Sequence, residues 1–207
     1  MRPGILATLL TAGCAASTAS APRDPRPPAA CCASLVERGV ESLAAPDDLR
    51  FEMGDDAPSF AFETGPSPFR TFQLPEGGPH TLLLSSYVVG DPPTWHVFFP
   101  VMWVLDAQLR PVRGIGPEAF HWDSATLEET RGWRKKLEAS FQAGGAAERF
   151  LIIHTTDALL ARDTVVEMPN TSYVVAAGVP VLVPLGTHGV AVPTARTGKL
   201  RIRVAAP

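Results

Sequence analysis

No stretch of the chain approaches the ~20 consecutive apolar residues that a membrane-spanning helix needs, so a helical anchor is not expected. Lysine is nearly missing. Only Lys135, Lys136 and Lys199 occur in 207 residues, and the remaining cations are arginines. Net charge is −3, and no basic surface suited to nucleic acid stands out. The densest cationic group, residues 131–136, is broken by Gly132 and Trp133 and flanked by acids, the pattern of a solvated face. Cysteine is limited to Cys14, Cys31 and Cys32. A nucleophile elbow, a phosphate loop and a metal box are all missing. The histidines at 80, 96, 121, 154 and 188 show no two at ligand spacing on one element. No metal and no cofactor are therefore expected.

What the chain has in quantity is proline, at 21 residues, and glycine, at 17. Spread along the whole length, they favour short strands joined by turns over long helices. Residues 1–13, MRPGILATLLTAG, carry one positive charge, a short apolar run and small residues before Cys14. That is the layout of a bacterial export signal. Cys14 after Thr-Ala-Gly is similar to a lipobox, in which the thiol takes a diacylglycerol and becomes the mature N-terminus. The competing reading is a plain signal cut at Ser17-Thr18-Ala19. Residues 15–30 are rich in Ala, Ser, Pro and Arg and read as an extended linker. Cys31 and Cys32 are adjacent and cannot staple distant segments. A vicinal disulfide, two free thiols and intermolecular bonds stay open.

Residues 14–45 thus form a lipidation site, linker and docking segment, with a short helix or docking piece at 34–43. Residues 46–207 form one mainly β domain. Strands are expected at 60–63, 69–74, 81–89 and 95–105, with a bulge or break at Pro100. An amphipathic helix is expected over 126–142. Thr126 and Glu129 fit a capping box there, and Leu127, Trp133, Leu137 and Phe141 share one arc. Further strands are expected at 150–154, 173–177, 179–183 and 199–204. Phe150, Ile152, Leu200 and Ile202 should face inward. A short helix should follow the 150–154 strand, capped by Thr156 or Asp157. Many strands without a βαβ rhythm imply an antiparallel β-sandwich, jelly-roll-like, with one inserted helix.

Three blocks together resemble the maltose operon periplasmic protein family of Gram-negative bacteria. They are FRTFQLPEGGPHTLLLSS at 69–86, FFPVMWVLD at 98–106, and Phe150–Thr164, which opens with FLIIHTTD, the last continued by Tyr173 and closed by TGKLRIRV at 197–204. The resemblance spans most of residues 60–204. It implies an exported envelope protein tied to maltose or maltodextrin use, and it carries over no catalytic residue.

The residues themselves offer few sites. His154 beside Asp157 reads either as a base with its orienting carboxylate or as a packed strand residue next to a helix cap. The paired carboxylates at 47–48, 55–56 and 128–129 look like turn and surface residues, not a hydrolase pair. Sugar binding needs a flat aromatic face beside hydrogen-bonding groups. His121, Trp122 and Asp123 supply that mixture in an expected loop. The expected function is a non-enzymatic envelope accessory protein. Its expected partners are maltodextrin or an envelope transport component, with membrane contact only through the lipid at Cys14 at the outer membrane. The rival is a structural or interaction lipoprotein without a sugar ligand. Mass spectrometry of the protein expressed with its native leader should find a mature N-terminus at Cys14 carrying lipid mass. An unmodified product starting near Ser20 would refute lipidation and keep export.

Overall fold

A computed structural model describes residues 29–54, 56–90, 94–126, 135–176 and 179–205. Cys14, Asp55, Glu128, Glu129 and Trp133 lie outside the described residues. Strands β1 (Glu41–Ser42), β2 (Asp47–Met53), β3 (Ser59–Phe62), β4 (Gly65–Gln73), β5 (His80–Tyr87), β6 (Val101–Leu105), β7 (Pro111–Ile115), β8 (His121–Ser124), β9 (Lys135–Ala143) and β10 (Phe150–His154) follow one another along the chain. One helical turn, α1 (Asp157–Leu160), precedes β11 (Asp163–Ala176), β12 (Val179–Pro193) and β13 (Gly198–Val204).

The strands form a six-stranded sheet, ordered β1-β4-β10-β6-β7 with β3 beside β4, and a five-stranded sheet, ordered β2-β13-β5-β9-β8. Phe72, Met102, Val104, Leu151 and Ile153 of the first share a core with Phe51, Leu82, Leu84, Ala139, Leu200 and Ile202 of the second. The two sheets therefore pack face to face. In β13 the alternation read from sequence holds, with Leu200, Ile202 and Val204 buried. Gly198 opens that strand because a Cβ there would sit 2.5 Å from the Cβ of Phe98.

The six-stranded sheet is covered on its other face as well. Cys32, Leu35 and Phe62 close over Phe69, Leu105 and Ile152. The piece expected at 34–43 as a helix or docking segment is a turn ending in the two residues of β1. It docks, with the Thr71 hydroxyl donating to the Leu35 carbonyl. Ile152 and Phe150 were expected in the inter-sheet core. They belong to this outer layer, while Leu151 and Ile153 face the core. A strand buried on both faces offers no polar side to mark its orientation.

The helix expected over 126–142 is also corrected. Its described part, from Lys135 on, is β9, paired with β5 from Tyr87↔Lys136 to His80↔Ala143. Residues 136–143, KLEASFQA, alternate perfectly between polar and apolar. Leu137 and Phe141 are four apart, a spacing that a helix and a strand both place on one face. Ala139 between them settles the period, and it is fully buried. The strand expected over 95–105 breaks at Pro100, and only Val101–Leu105 pairs as β6.

Among the described residues β11 and β12 pair only with each other, making a two-stranded arm. The strands expected at 173–177 and 179–183 are its distal part. Val166 and Val192 anchor its foot against Val88, Val97 and Leu137. Asp157, on the way in, and Arg196, on the way out, clasp the two feet at 2.9 Å.

Ile152 and Ile153 are both fully buried. Replacing either by Ala should lower unfolding free energy by roughly 2–5 kcal/mol in urea titrations. Equal losses at consecutive residues are expected only of a sheet covered on both faces. A negligible loss at Ile152 would show that no outer layer covers that side chain.

Candidate functional site

Where the arm leaves the body, its foot and the β8–β9 edge enclose a cavity of about 660 Å³. Ala125, Met168, Pro169 and Leu182 supply apolar lining. Ser124, Lys135, Glu167, Thr171 and Thr187 supply polar groups. The volume falls within the ~300–1,000 Å³ of small-molecule sites. The Lys135 ammonium donates to the Ser124 hydroxyl at 3.2 Å, fixing that rim.

His121, Trp122 and Asp123 lie beside this cavity, on a strand and not in a loop. β8 pairs with β9 as His121↔Glu138, Trp122↔Leu137 and Asp123↔Lys136. Alternation sends Trp122 to one face and His121 and Asp123 to the other. Trp122 is half-buried and packs on the cluster that includes Leu137 and Met168, so it supports the cavity from behind. His121 and Asp123 are exposed on the outer face of the five-stranded sheet. The structure does not bring the three together as one sugar platform.

That outer face carries a row of fixed charges. Lys136 lies 2.7 Å from the Glu138 carboxylate, which also accepts a hydrogen bond from Ser85 at 2.7 Å. Asp123 is 3.9 Å from Lys136, and Arg203 is 3.8 Å from Glu138. Further along, Arg201 grips Asp48 with two nitrogens, and this hydrogen bonding holds the Asp48 carboxyl below its usual range. Asp48 of the 47–48 pair is thus a structural ion-pair partner. A second, smaller cavity of about 380 Å³ lies at Arg113, Gln142 and Glu148. Burial pushes the Glu148 carboxyl up, but Arg113 and the N–H groups of Gly145 and Gly144 bring it below the ordinary range overall.

His154 is fully buried. Its ring stacks on Phe62, with centroids 4.0 Å apart and planes 9° apart, and meets Trp103 edge-on at 5.2 Å. Nδ1–H donates to the Thr155 carbonyl at 2.9 Å. Asp157 is engaged by Arg196 instead. It also sits over Gly65, whose φ of +107° is the left-handed backbone that favours glycine. Thr156 is the cap of α1, accepting from the Leu159 N–H at 3.3 Å. The packed-residue reading of His154 therefore fits, and the base reading lacks its carboxylate. Cys31 and Cys32 are joined to each other, and the Ser59 N–H reaches the Cys31 sulfur at 3.3 Å. Among the described residues, no three His, Cys, Asp or Glu side chains cluster to hold a metal ion.

A family model described as maltose operon periplasmic protein precursor (MalM) matches residues 64–204. The chain belongs to this family. It is, with the family, a periplasmic protein associated with the maltose operon. The match runs from the β3–β4 turn to the end of β13, and so takes in the arm and the cavity. Neither the curated proteins nor the solved structures contain a match to the chain. Among the described residues, no helix is long and apolar enough to cross a membrane.

The cavity residues from the arm, between Glu167 and Thr187, form no motif in the sequence. A run without charge from Met168 to Thr187 marks the arm as a whole, and does not tell which of its residues line the cavity.

Burial lowers the His154 pKa from 6.5 to about 4. Above pH 6.5 both folded and unfolded chains carry it neutral. As pH falls below 6.5 the unfolded chain takes up a proton that the folded chain refuses, and stability drops until the folded site titrates near 4. The total loss is about 3 kcal/mol. Urea midpoints measured across that window should fall with pH, and His154→Phe should flatten this part of the profile. An unchanged slope in the variant would assign the loss to other groups.

Proposed function

We propose that this family member is a non-enzymatic accessory protein of maltodextrin uptake, held at the outer membrane by an acylated Cys14, with the cavity at the arm's foot as its oligosaccharide site. The observation that carries the reading is the lining of that cavity. A pyranose ring presents apolar C–H faces and a rim of hydroxyls. Met168, Pro169 and Leu182 match the first, while Ser124, Glu167, Thr171 and Thr187 match the second. The strand orders support a jelly-roll-like sandwich, since β2-β13-β5-β9 and β4-β10-β6-β7 interleave as the two sheets of such a roll do. Such a frame holds the β8–β9 edge rigid beneath a ligand.

Each polar contact here only exchanges with water, for a small net gain. Affinity is then modest, on the order of −4 to −6 kcal/mol, or millimolar to high micromolar. Titration calorimetry with maltotriose and longer maltodextrins should show saturable heat. Glu167→Ala should weaken binding roughly tenfold, the scale of one hydrogen bond to a charged group. Trp122→Ala should act through loosened packing and lower Tm together with affinity. Silence across the whole series would put the interaction-lipoprotein reading, without a sugar, in its place.

A further inference from the structure

The distal half of the arm exposes apolar side chains and carries no charge. No charged residue occurs from Met168 to Thr187, twenty positions in sequence. Among the described residues, six of the eight large apolar side chains left exposed are Val174, Val175, Val179, Val181, Leu182 and Leu185. Val174 and Val175 are consecutive, so they point to opposite faces. They are 49% and 70% exposed, so at this point, beyond the cavity, both faces of the arm present apolar side chains to solvent. Soluble surfaces rarely leave such a patch uncovered.

We infer that the arm is a membrane-docking element whose apolar end dips into the headgroup and acyl boundary of a lipid bilayer. Three observations select lipid over a protein surface. First, apolar side chains are exposed on both faces near the end, and hydrocarbon can meet an inserted end on every side. Second, Pro169, Pro180 and Pro184 stand within the paired strands. Proline has no N–H, and within a ladder its nitrogen is tolerated facing away from the partner strand. The outer edges therefore lose donors, which obstructs strand addition by a second copy. The edge N–H and C=O groups that remain need the water and headgroups of the boundary layer as partners, which keeps the insertion shallow. Third, the end carries neither sign of charge, so it complements hydrocarbon and not an ionic surface.

The dimensions agree. Six residues from Thr171 to Ala176 span about 20 Å, and an interfacial element enters by ~5–10 Å. The edges near the body thus stay in water. Position 14 lies fifteen residues before the first described residue. A chain of that length spans at most ~50 Å if fully extended, which bounds how far an acylated Cys14 could stand from the body. The arm's docking does not depend on that acylation, nor on sugar in the cavity.

The test uses the mature chain from position 14 with Cys14→Ser, which removes the lipid. Flotation with phosphatidylethanolamine–phosphatidylglycerol vesicles should carry protein upward, equally in low and high salt and equally with phosphatidylcholine vesicles. The pair Val175→Glu with Val179→Glu should cut partitioning by roughly tenfold or more. Both positions are exposed and outside the cavity lining, so Tm and calorimetry with maltodextrin should match the parent. Val112→Glu, exposed but away from the arm, should leave partitioning intact. Equal partitioning of the parent and the paired variant overturns the inference. So does a loss at Val112→Glu of the same size, which marks unspecific adsorption. Self-association abolished by the paired variant, with no vesicle binding, also overturns it and gives the surface to a second copy.

Discussion

Leu151 and Ile153 of β10 point into the core between the sheets, while Ile152 and His154 point the other way into a layer of Phe62, Phe69 and Trp103. The rest of the fold depends on this double burial. β10 lies between β4 and β6, with register pairs along its whole length on both sides. A strand with no wet face must be covered twice. The second cover is supplied by β3 and by the segment around Cys32 and Leu35. Keeping His154 neutral is part of the same arrangement, since a charge there would have no water to face.

The five-stranded sheet is organised differently. Its inner face is apolar, and its outer face holds an ordered row of charges in which Glu138 is shared by Lys136, Ser85 and Arg203. Such groups fix register, because a slip by one residue would turn Lys136 and Glu138 into the core and Leu137 out of it. The arm attaches where the two sheets meet. Its foot contributes Val166 and Val192 to a small cluster of its own, and Met168 belongs both to that cluster and to the cavity lining.

Much of the frame was legible from residues alone. β13 declared itself by strict alternation, and the run at 150–154 declared a buried strand. The turn into α1 was marked by its Thr-Thr-Asp signal. The misreadings have particular causes. At 137 and 141 the helical and extended periods coincide, and an alanine between them was too neutral to break the tie. The tryptophan at 122 was grouped with its sequence neighbours, yet in a strand neighbours face apart. Ile152 was assigned to the wrong layer because a doubly covered strand has no polar side. The cavity was not legible, because its lining comes from both strands of the arm and from the β8–β9 edge, which only pairing brings together.

The position of the arm in the chain has one further consequence. It enters from β10 of one sheet and leaves into β13 of the other, with its two feet clasped by Asp157 and Arg196. Residues added or removed near its far end would shift no strand register in either sheet. Arm length can therefore change while the spacing on either side of it stays as it is. The reach of the element, and the distance it keeps between the body and whatever it touches, can be retuned without touching the fold.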